Sequence, residues 1–396
     1  MIDLFLRKGA ERRLRGGHLW VYSNEVDSKR SNLGEFKAGD LVVVRGSDGR
    51  LQGSAYMEPQ SLICARLYSP HVEQAMNAEW FEQRLATALA VREAAFGQQP
   101  YYRLVYGDSD GMPGLVVDRF GNYLVAQLHS AGLERYSELL QEALLSVLQP
   151  AGILLRTDSR ARREQGLSTG SEVIYGEVPD EVPLQENGTK FLAPVHAGQK
   201  TGWFYDHRMS RARLAHWVSG KAVLDVYSYI GGWGVQAANA GALSVCCLDS
   251  SAAALEGVVK NARLNNVGER VTTRKGPAPE QMAALHEEGA RFDVIILDPP
   301  AFIHRKKDLK KGINAYRRIN ELALRLLKPG GLLVSASCSM HLQRADLIHA
   351  LQQAAVRAAC GVRIVEQGGQ GPDHPVHPAI AETEYLKSLF VLKIGA

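Results

Sequence analysis

A chain of 396 residues exceeds what one hydrophobic core usually serves, so two or three domains are expected. An apolar share of 45% and a charged share of 22% exclude wholesale disorder, a collagen-like fibre and a disulfide-stapled miniprotein. Lys and Arg number 46 against 42 Asp and Glu, and this net +4 would favour nucleic acid only if gathered into a local patch.

The five cysteines, Cys64, Cys246, Cys247, Cys338 and Cys360, include no CxxC pair, which argues against zinc and predicts no metal site. Their odd number fits a reducing cytosol. The opening MIDLFLRKGAERRLRGG lacks a signal peptide's apolar region, and no apolar run approaches the roughly 18 residues a membrane helix needs. A cytoplasmic protein without a membrane partner is expected.

Residues 1 to 70 read as short strands and turns. Leu41 to Gly46 is β-branched, Ser47 to Arg50 (SDGR) is a hairpin-type turn, and Ile63 to Ser69 alternates apolar with polar. This stretch carries 11 Lys and Arg against 8 Asp and Glu, with Arg12, Arg13 and Arg15 beside His18 and Trp20. Two readings stand: a solvated loop with one anchored Trp, or a small β-barrel presenting cations and an aromatic to RNA.

From residue 71 the pattern changes. Ala78 to Phe96 spaces apolar residues three and four apart and predicts a helix. Strands are predicted at Gly114 to Gly121 and Asn122 to His129, joined by a tight turn at Gly121 and Asn122. A helix over Ser137 to Leu148, a strand over Gly152 to Asp158 and the basic string Arg156, Arg160, Arg162 and Arg163 complete this unit. The following GEVPDEVPLQENG, rich in proline and acid, reads as connecting turns rather than core.

Beyond about residue 186 strand and helix alternate. Strands are predicted at Lys221 to Tyr227, Leu243 to Asp249, Phe292 to Asp298 and Gly331 to Ser337. Between them lie helices over Ser250 to Asn265, with Ser250 as N-cap, and Ile313 to Leu327. This alternation means a mainly parallel sheet covered on both faces.

In such a sheet ligands bind beyond the carboxyl ends of the strands. The first strand delivers Asp225 and the turn YSYIGGWG, whose Gly231, Gly232 and Gly234 let backbone approach a ligand closely. The turn is not GxGxxG, which argues against a dinucleotide. The second strand delivers Asp249, placed either to accept both hydrogens of a ribose diol or to cap the next helix. The third runs into DPPAF, Asp298 to Phe302, where prolines stiffen a turn presenting a carboxylate and an aromatic ring to a flat base. The fourth ends in SASCSMH and places Cys338 where a thiolate can attack a substrate carbon, although buried cysteines are more often inert packing. Directly after DPPAF come Arg305, Lys306, Lys307, Lys310, Lys311, Arg317 and Arg318 against Asp308 alone, a run suited either to phosphates or to plain solvation.

These motifs in this order, together with QKTGWFYDHR (Gln199 to Arg208), resemble a class I S-adenosylmethionine-dependent methyltransferase. RLRGGHLWVYSNEV and GSAYMEPQSLICARLYS resemble a PUA RNA-binding domain, and Gly107 to Gln127 resembles the central domain of the RlmI (YccW) family of rRNA cytosine-5 methyltransferases. The resemblance spans essentially the whole chain. It implies an α/β fold: a Rossmann-like domain with a mainly parallel seven-stranded sheet over 186–396, preceded by a PUA-like β-barrel over 1–70 and an α+β central domain over 71–185. It implies S-adenosyl-L-methionine as cofactor and large-subunit (23S) rRNA as partner, and leaves room for a homodimer. Cys338 would be the nucleophile. Asp225, Tyr227, Gly231, Asp249 and Asp298 would line the cofactor, and Lys200, Thr201, Gly202, Phe204, Tyr205, Asp206 and Arg208 would lead into its pocket. Asp298 and Phe302 would address the target base, with Arg305, Lys306, Lys307, Lys310, Lys311, Arg12, Arg13 and Arg15 on the RNA.

The implied chemistry follows from pyrimidines. Addition of the Cys338 thiolate to carbon 6 makes carbon 5 nucleophilic, and Asp298 near nitrogen 3 would stabilise the charge that moves there. Four positions depart from the family pattern: Ile230 and Trp233 flank the glycine turn where Thr and Phe are usual, and RKGPAPEQM puts Pro277 and Pro279 where an acid and an aromatic are usual. Proline cannot accept from the adenine amino group, so weaker cofactor binding is expected. Exocyclic-amine methylation through DPPAF and a non-catalytic RNA-binding assembly factor with a degenerate cofactor pocket are the alternatives.

Overall fold

The computed structural model describes residues 1–158, 162 and 168–395; of the basic string above, Arg160 and Arg163 lie outside the described residues. The chain divides into two compact units. The first comprises Met1–Val182, Pro194–Tyr205 and Pro372–Thr383, and the second Pro183–Ala193, Asp206–Gly371 and Glu384–Ala396.

The first unit opens with β1 (Ile2–Phe5), α1 (Glu11–Arg15), β2 (Trp20–Tyr22), β3 (Leu41–Arg45), β4 (Leu51–Met57) and β5 (Ile63–Pro70), a sheet in the order β1-β3-β4-β5-β2. Alternate residues Val42, Val44, Ala55, Met57, Ala65 and Leu67 face inward and pack with Leu14, as the period-2 pattern requires. Next come α2 (Ala78–Phe96), β6 (Tyr101–Tyr106), β7 (Leu115–Phe120), β8 (Tyr123–Leu128), α3 (Ala131–Glu134), α4 (Ser137–Leu148), β9 (Gly152–Arg156) and β10 (Ser171–Gly176). The sheet order is β10-β9-β8-β7-β6, parallel only between β8 and β9. Helix α2 starts where Asn77 accepts a hydrogen bond from the Trp80 N–H at 3.0 Å.

One expectation fails along the next segment. The proline-rich GEVPDEVPLQENG is not merely turns: it contains β11 (Glu181–Glu186), paired with β12 (Thr189–Pro194). Val182, Leu184 and Glu186 are buried while Pro183 and Gln185 face out, so the proline occupies a position where strand geometry tolerates it. Asn187 and Gly188, at φ 50° and 78°, make the tight turn.

The second unit holds α5 (Arg208–Leu214), β13 (Ala222–Val226), α6 (Gly234–Asn239), β14 (Ser244–Asp249), α7 (Ala252–Leu264), β15 (Val271–Lys275), α8 (Ala278–Glu287), β16 (Phe292–Leu297), α9 (Leu309–Leu326), β17 (Leu327–Ser337), α10 (Arg344–Arg357), β18 (Gly361–Gly368) and β19 (Lys387–Ile394). The seven strands run β15-β14-β13-β16-β17-β19-β18, with β19 antiparallel to both its neighbours and the rest parallel. This is the expected mainly parallel α/β sheet. Its core joins Leu224, Ile295, Leu297 and Leu333 to Tyr316 and Leu324 of α9 and Leu347 and Leu351 of α10. The N-cap of α7 is Ser251 rather than Ser250, because the Asp249 carboxylate takes the Ser251 N–H at 2.9 Å and sets the turn one residue later. Among the described residues no helix is long and apolar enough to cross a membrane, and no group of three His, Cys, Asp or Glu is arranged to hold a metal ion.

Candidate active site

The carboxyl ends of β13, β14, β16 and β17 all open on one side of the second unit, as parallel strands must. Asp225 is the fourth residue of β13 and is fully buried. Its Oδ2 accepts the Gly234 N–H at 2.8 Å, while Oδ1 is buried with no hydrogen-bond donor among the described residues. Burial pushes this carboxyl up to about 7, reinforced by the charges of Asp298 and Asp249 and opposed by the Gly234 bond and Arg211. Two glycines in the turn are sterically required. A Cβ on Gly234 would stand 2.5 Å from Cys247 Sγ, and one on Gly231 (φ +86°) would meet Val235 Cγ2 at 2.7 Å. Tyr227 and Tyr229 hold φ of 66° and 49°, so this loop also stores backbone strain, a common property of ligand sites.

Asp249 ends β14 half-buried. One oxygen accepts the Tyr229 N–H and the other the Ser251 N–H, each at 2.9 Å. Ribose-diol and capping roles are therefore not exclusive: each oxygen keeps a second lone pair, and Asp249 lines a cleft of about 750 Å³. Tyr227, Pro277, Pro279, Phe302 and Lys311 share that lining. The volume suits a small-molecule cofactor. Pro277 is the N-cap of α8, so the departure from the family pattern sits in the cleft wall and at a helix terminus together.

Asp298 follows β16 and is 21% exposed. Trp233 Nε1 donates to its Oδ2 at 2.9 Å, and His207 Nε2 lies 3.1 Å from Oδ1 at ion-pair distance. Burial alone would push this carboxyl up. The His207 charge, the His207 contact and the Trp233 hydrogen bond outweigh it and hold Asp298 below the usual carboxylate range. Phe302 packs against the Tyr316 ring with centroids 4.8 Å apart.

Cys338 follows the last residue of β17, half-buried, with Sγ 3.9 Å from the Pro299 carbonyl of the DPP segment. The strand end and the DPPAF loop are also joined through hydroxyls. Ser337 Oγ donates to Tyr316 Oη at 2.8 Å, Ser339 Oγ lies 2.9 Å from that oxygen, and Ile303 N donates to Ser339 Oγ at 3.3 Å. The nucleophile candidate and the base-binding candidates thus sit on one hydrogen-bonded scaffold.

The remaining site candidates divide. Arg305, Lys306, Lys307, Lys310 and Lys311 are exposed between DPPAF and the first turn of α9. Asp206 and Arg208 are buried in the second unit, where Asp206 accepts from the Tyr385 hydroxyl at 2.5 Å and the Arg208 carbonyl accepts from Asn187 Nδ2 at 3.0 Å. Lys200, Thr201, Gly202, Phe204 and Tyr205 belong to the first unit. There Thr201 donates to Asp118 at 2.5 Å, the Lys200 ammonium stands 4.6 Å from the Phe204 ring centroid, and the Tyr205 hydroxyl donates to the Arg119 carbonyl at 2.9 Å. Arg12 and Arg15 are exposed, whereas Arg13 is engaged within the fold, bonded to Glu25 at 2.7 Å and stacked 4.5 Å from the Tyr22 ring centroid. Arg15 pairs with Asp48 at 3.1 Å.

Known proteins match this arrangement along the chain. Residues 4–70 match the PUA-like domain and residues 152–391 the S-adenosylmethionine-dependent methyltransferase family. A Shewanella denitrificans protein named ribosomal RNA large subunit methyltransferase I is 37% identical over 393 residues, 98% of each chain. The chain belongs to the ribosomal RNA large subunit methyltransferase I family. A Vibrio vulnificus protein of the same name is 35% identical over 99% of each chain. The solved structure of SMU.776 in complex with SAH shares the fold at a TM-score of 0.82 and 20% identity, covering 99% of this chain and all of that one.

The cofactor of this methyltransferase is therefore S-adenosylmethionine, and the β13 and β14 ends fit it. Asp249, Tyr227 and Pro277 line the cleft, Asp249 keeps acceptor capacity beyond its two backbone bonds, and the glycine turn has room only for backbone. Sequence reading did not find His207 or Trp233 as partners of Asp298, nor Lys387 beside Cys338. The signal for Lys387 is a lone cation entering the apolar run SLFVL; pairing His207 with Asp298 had no local signal.

Proposed function

We propose that this methyltransferase transfers a methyl group to carbon 5 of a cytosine in large-subunit ribosomal RNA, with Cys338 as the nucleophile. The observation that carries the reading is the position of Cys338: at the carboxyl end of β17, half-buried, and tied to the DPPAF loop through Pro299, Tyr316 and Ser339. The names of the relatives support rRNA as substrate class.

The residues divide the work. The Cys338 thiolate adds to carbon 6 of the ring, forming a C–S bond and moving the carbon 5–carbon 6 pair toward carbon 5. S-adenosylmethionine, when bound, would supply the methyl group to carbon 5 as an electrophile, with the sulfonium leaving as a neutral thioether. Transfer of the carbon 5 proton to water or another base then restores the carbon 5–carbon 6 double bond and breaks the C–S bond, releasing the Cys338 thiolate. Held ionised by His207 and Trp233, Asp298 accepts from the cytosine 4-amino group and fixes the ring edge. As an anion it orients the base but cannot stabilise negative charge moving toward nitrogen 3, so that part of the role expected from sequence is dropped. Phe302 offers a face for stacking, and the cations from Arg305 to Lys311 meet the phosphates leading to the cleft.

An amine-methylating reading is supported by the same ionised Asp298, since a carboxylate acceptor beside two prolines suits an exocyclic amine; there Cys338 is dispensable. Mass-spectrometric mapping of rRNA from cells with and without this protein tests the proposal. Loss of one 5-methylcytosine is expected; loss of an N-methylated base instead would transfer the assignment to the amine reading.

A further inference from the structure

We propose that Lys387 is a positioning residue for Cys338, a buried ammonium whose charge favours the sulfur anion; the inference rests on the reading of Cys338 as nucleophile. Lys387 opens β19 and lies directly across from Ser337 in the antiparallel ladder with β17. It is 5% exposed and is followed along β19 by buried Ser388, Leu389, Phe390 and Val391. Its Nζ donates to the carbonyl of Ser339 at 2.8 Å, one residue past Cys338. That bond fixes the ammonium against the turn that carries the thiol.

A buried ammonium is costly unless it is both hydrogen-bonded and paired with opposite charge, and the Ser339 carbonyl supplies only the hydrogen bond. The charged and titratable groups facing it are Cys338 from the end of β17, Arg344 and Asp346 from α10, and Glu384 from the segment before β19. Burial pulls the amine down and Arg344 adds to this, Cys338, Glu384 and Asp346 oppose it, and together they leave the amine lowered to about 8. At neutral pH the group therefore remains largely cationic, and its attraction to Cys338 works in both directions: what the thiolate does for the ammonium, the ammonium does for the thiolate. The proposed reaction needs that charge twice, when the thiolate attacks carbon 6 and when it leaves.

The test reads ionisation without activity. The full-length protein, wild type and Lys387→Met, Lys387→Gln and Lys387→Arg, is alkylated with iodoacetamide across neutral and alkaline pH, and the Cys338 peptide is quantified by mass spectrometry. The Met and Gln variants should show a midpoint moved up by about one pH unit, hence alkylation about tenfold slower at neutral pH. Lys387→Arg should keep the wild-type profile. Cys246 and Cys360 peptides in the same digests serve as references and should not change. Melting curves identify the folded variants, and either neutral variant is sufficient. Coincident wild-type and neutral-variant profiles overturn the proposal, even if methyl transfer falls, since Lys387 is then only structural. The nucleophile assignment stands or falls separately, on the activity of Cys338→Ala.

Discussion

The indole N–H of Trp233 donates to Oδ2 of Asp298 at 2.9 Å, so a residue that departs from the family pattern reaches across to the carboxylate of the DPP motif. Set against the Phe that the resemblance leads one to expect at this position, Trp233 adds a hydrogen bond.

That bond should be visible in the pH dependence. Trp233 and His207 hold Asp298 below the usual carboxylate range, so the ionised form persists into acid. Trp233→Phe removes one donor, raises the Asp298 carboxyl, and moves the acidic limb of the kcat/KM profile to higher pH. A hydrogen bond to a charged group contributes about 1.5–3 kcal/mol, or about tenfold to a hundredfold in rate at acid pH. An acidic limb unmoved by the substitution would show that Asp298 does not titrate in the reaction.

The proline departure concerns cofactor affinity. Pro277 lines the cleft with Asp249 and is the N-cap of α8. Pro277→Asp should raise S-adenosylmethionine affinity, up to about tenfold to a hundredfold if the carboxylate reaches the adenine amino group. As an N-cap, aspartate should also stabilise the protein by about 0.5–2 kcal/mol. Calorimetry and thermal melts separate the two. A higher melting temperature with unchanged affinity would mean the new carboxylate is consumed by the helix end and the adenine is held by other groups.

The cationic segment calls for a split. Lys306, Lys307 and Lys310 are exposed outside the cleft lining, whereas Lys311 is part of it. Changing the first three to Ala should lower the slope of log RNA affinity against log salt by roughly 0.7 to 0.9 for each phosphate no longer neutralised. Cofactor affinity should stay constant, while Lys311→Ala is free to alter it. An unchanged salt slope in the triple variant would make this run a solvated surface.

What was legible in the sequence follows from which forces act locally. The four central strands are rich in apolar residues, so their presence is read directly, although β17 begins at Leu327 rather than Gly331, and α2 is marked by its capping Asn77. The edge strand β15 is VTTRK, with no buried residue, and β18 only half-buries Val362 and Ile364 against the core, so the core signal of each is weak or missing. Strand β11 was obscured by Pro183, whose side chain faces out between buried Val182 and Leu184. At the site, Asp225, Asp249, Asp298 and Cys338 were legible because strand ends place them. Their partners were not: His207 meets Asp298 across 91 residues and Lys387 meets Ser339 across 48, separations that only the completed sheet brings together.

The central claim is that Cys338 bonds covalently to the target cytosine. The direct measurement is trapping with rRNA carrying 5-fluorocytosine in the presence of S-adenosylmethionine, followed by mass spectrometry of the digested complex. Fluorine blocks the loss of the carbon 5 substituent, so the enzyme should remain joined to the RNA through the Cys338 peptide, and Cys338→Ala should give no adduct and no methyl transfer while binding the cofactor normally. Full methyl transfer by folded Cys338→Ala, with no adduct in the wild type, would contradict the account.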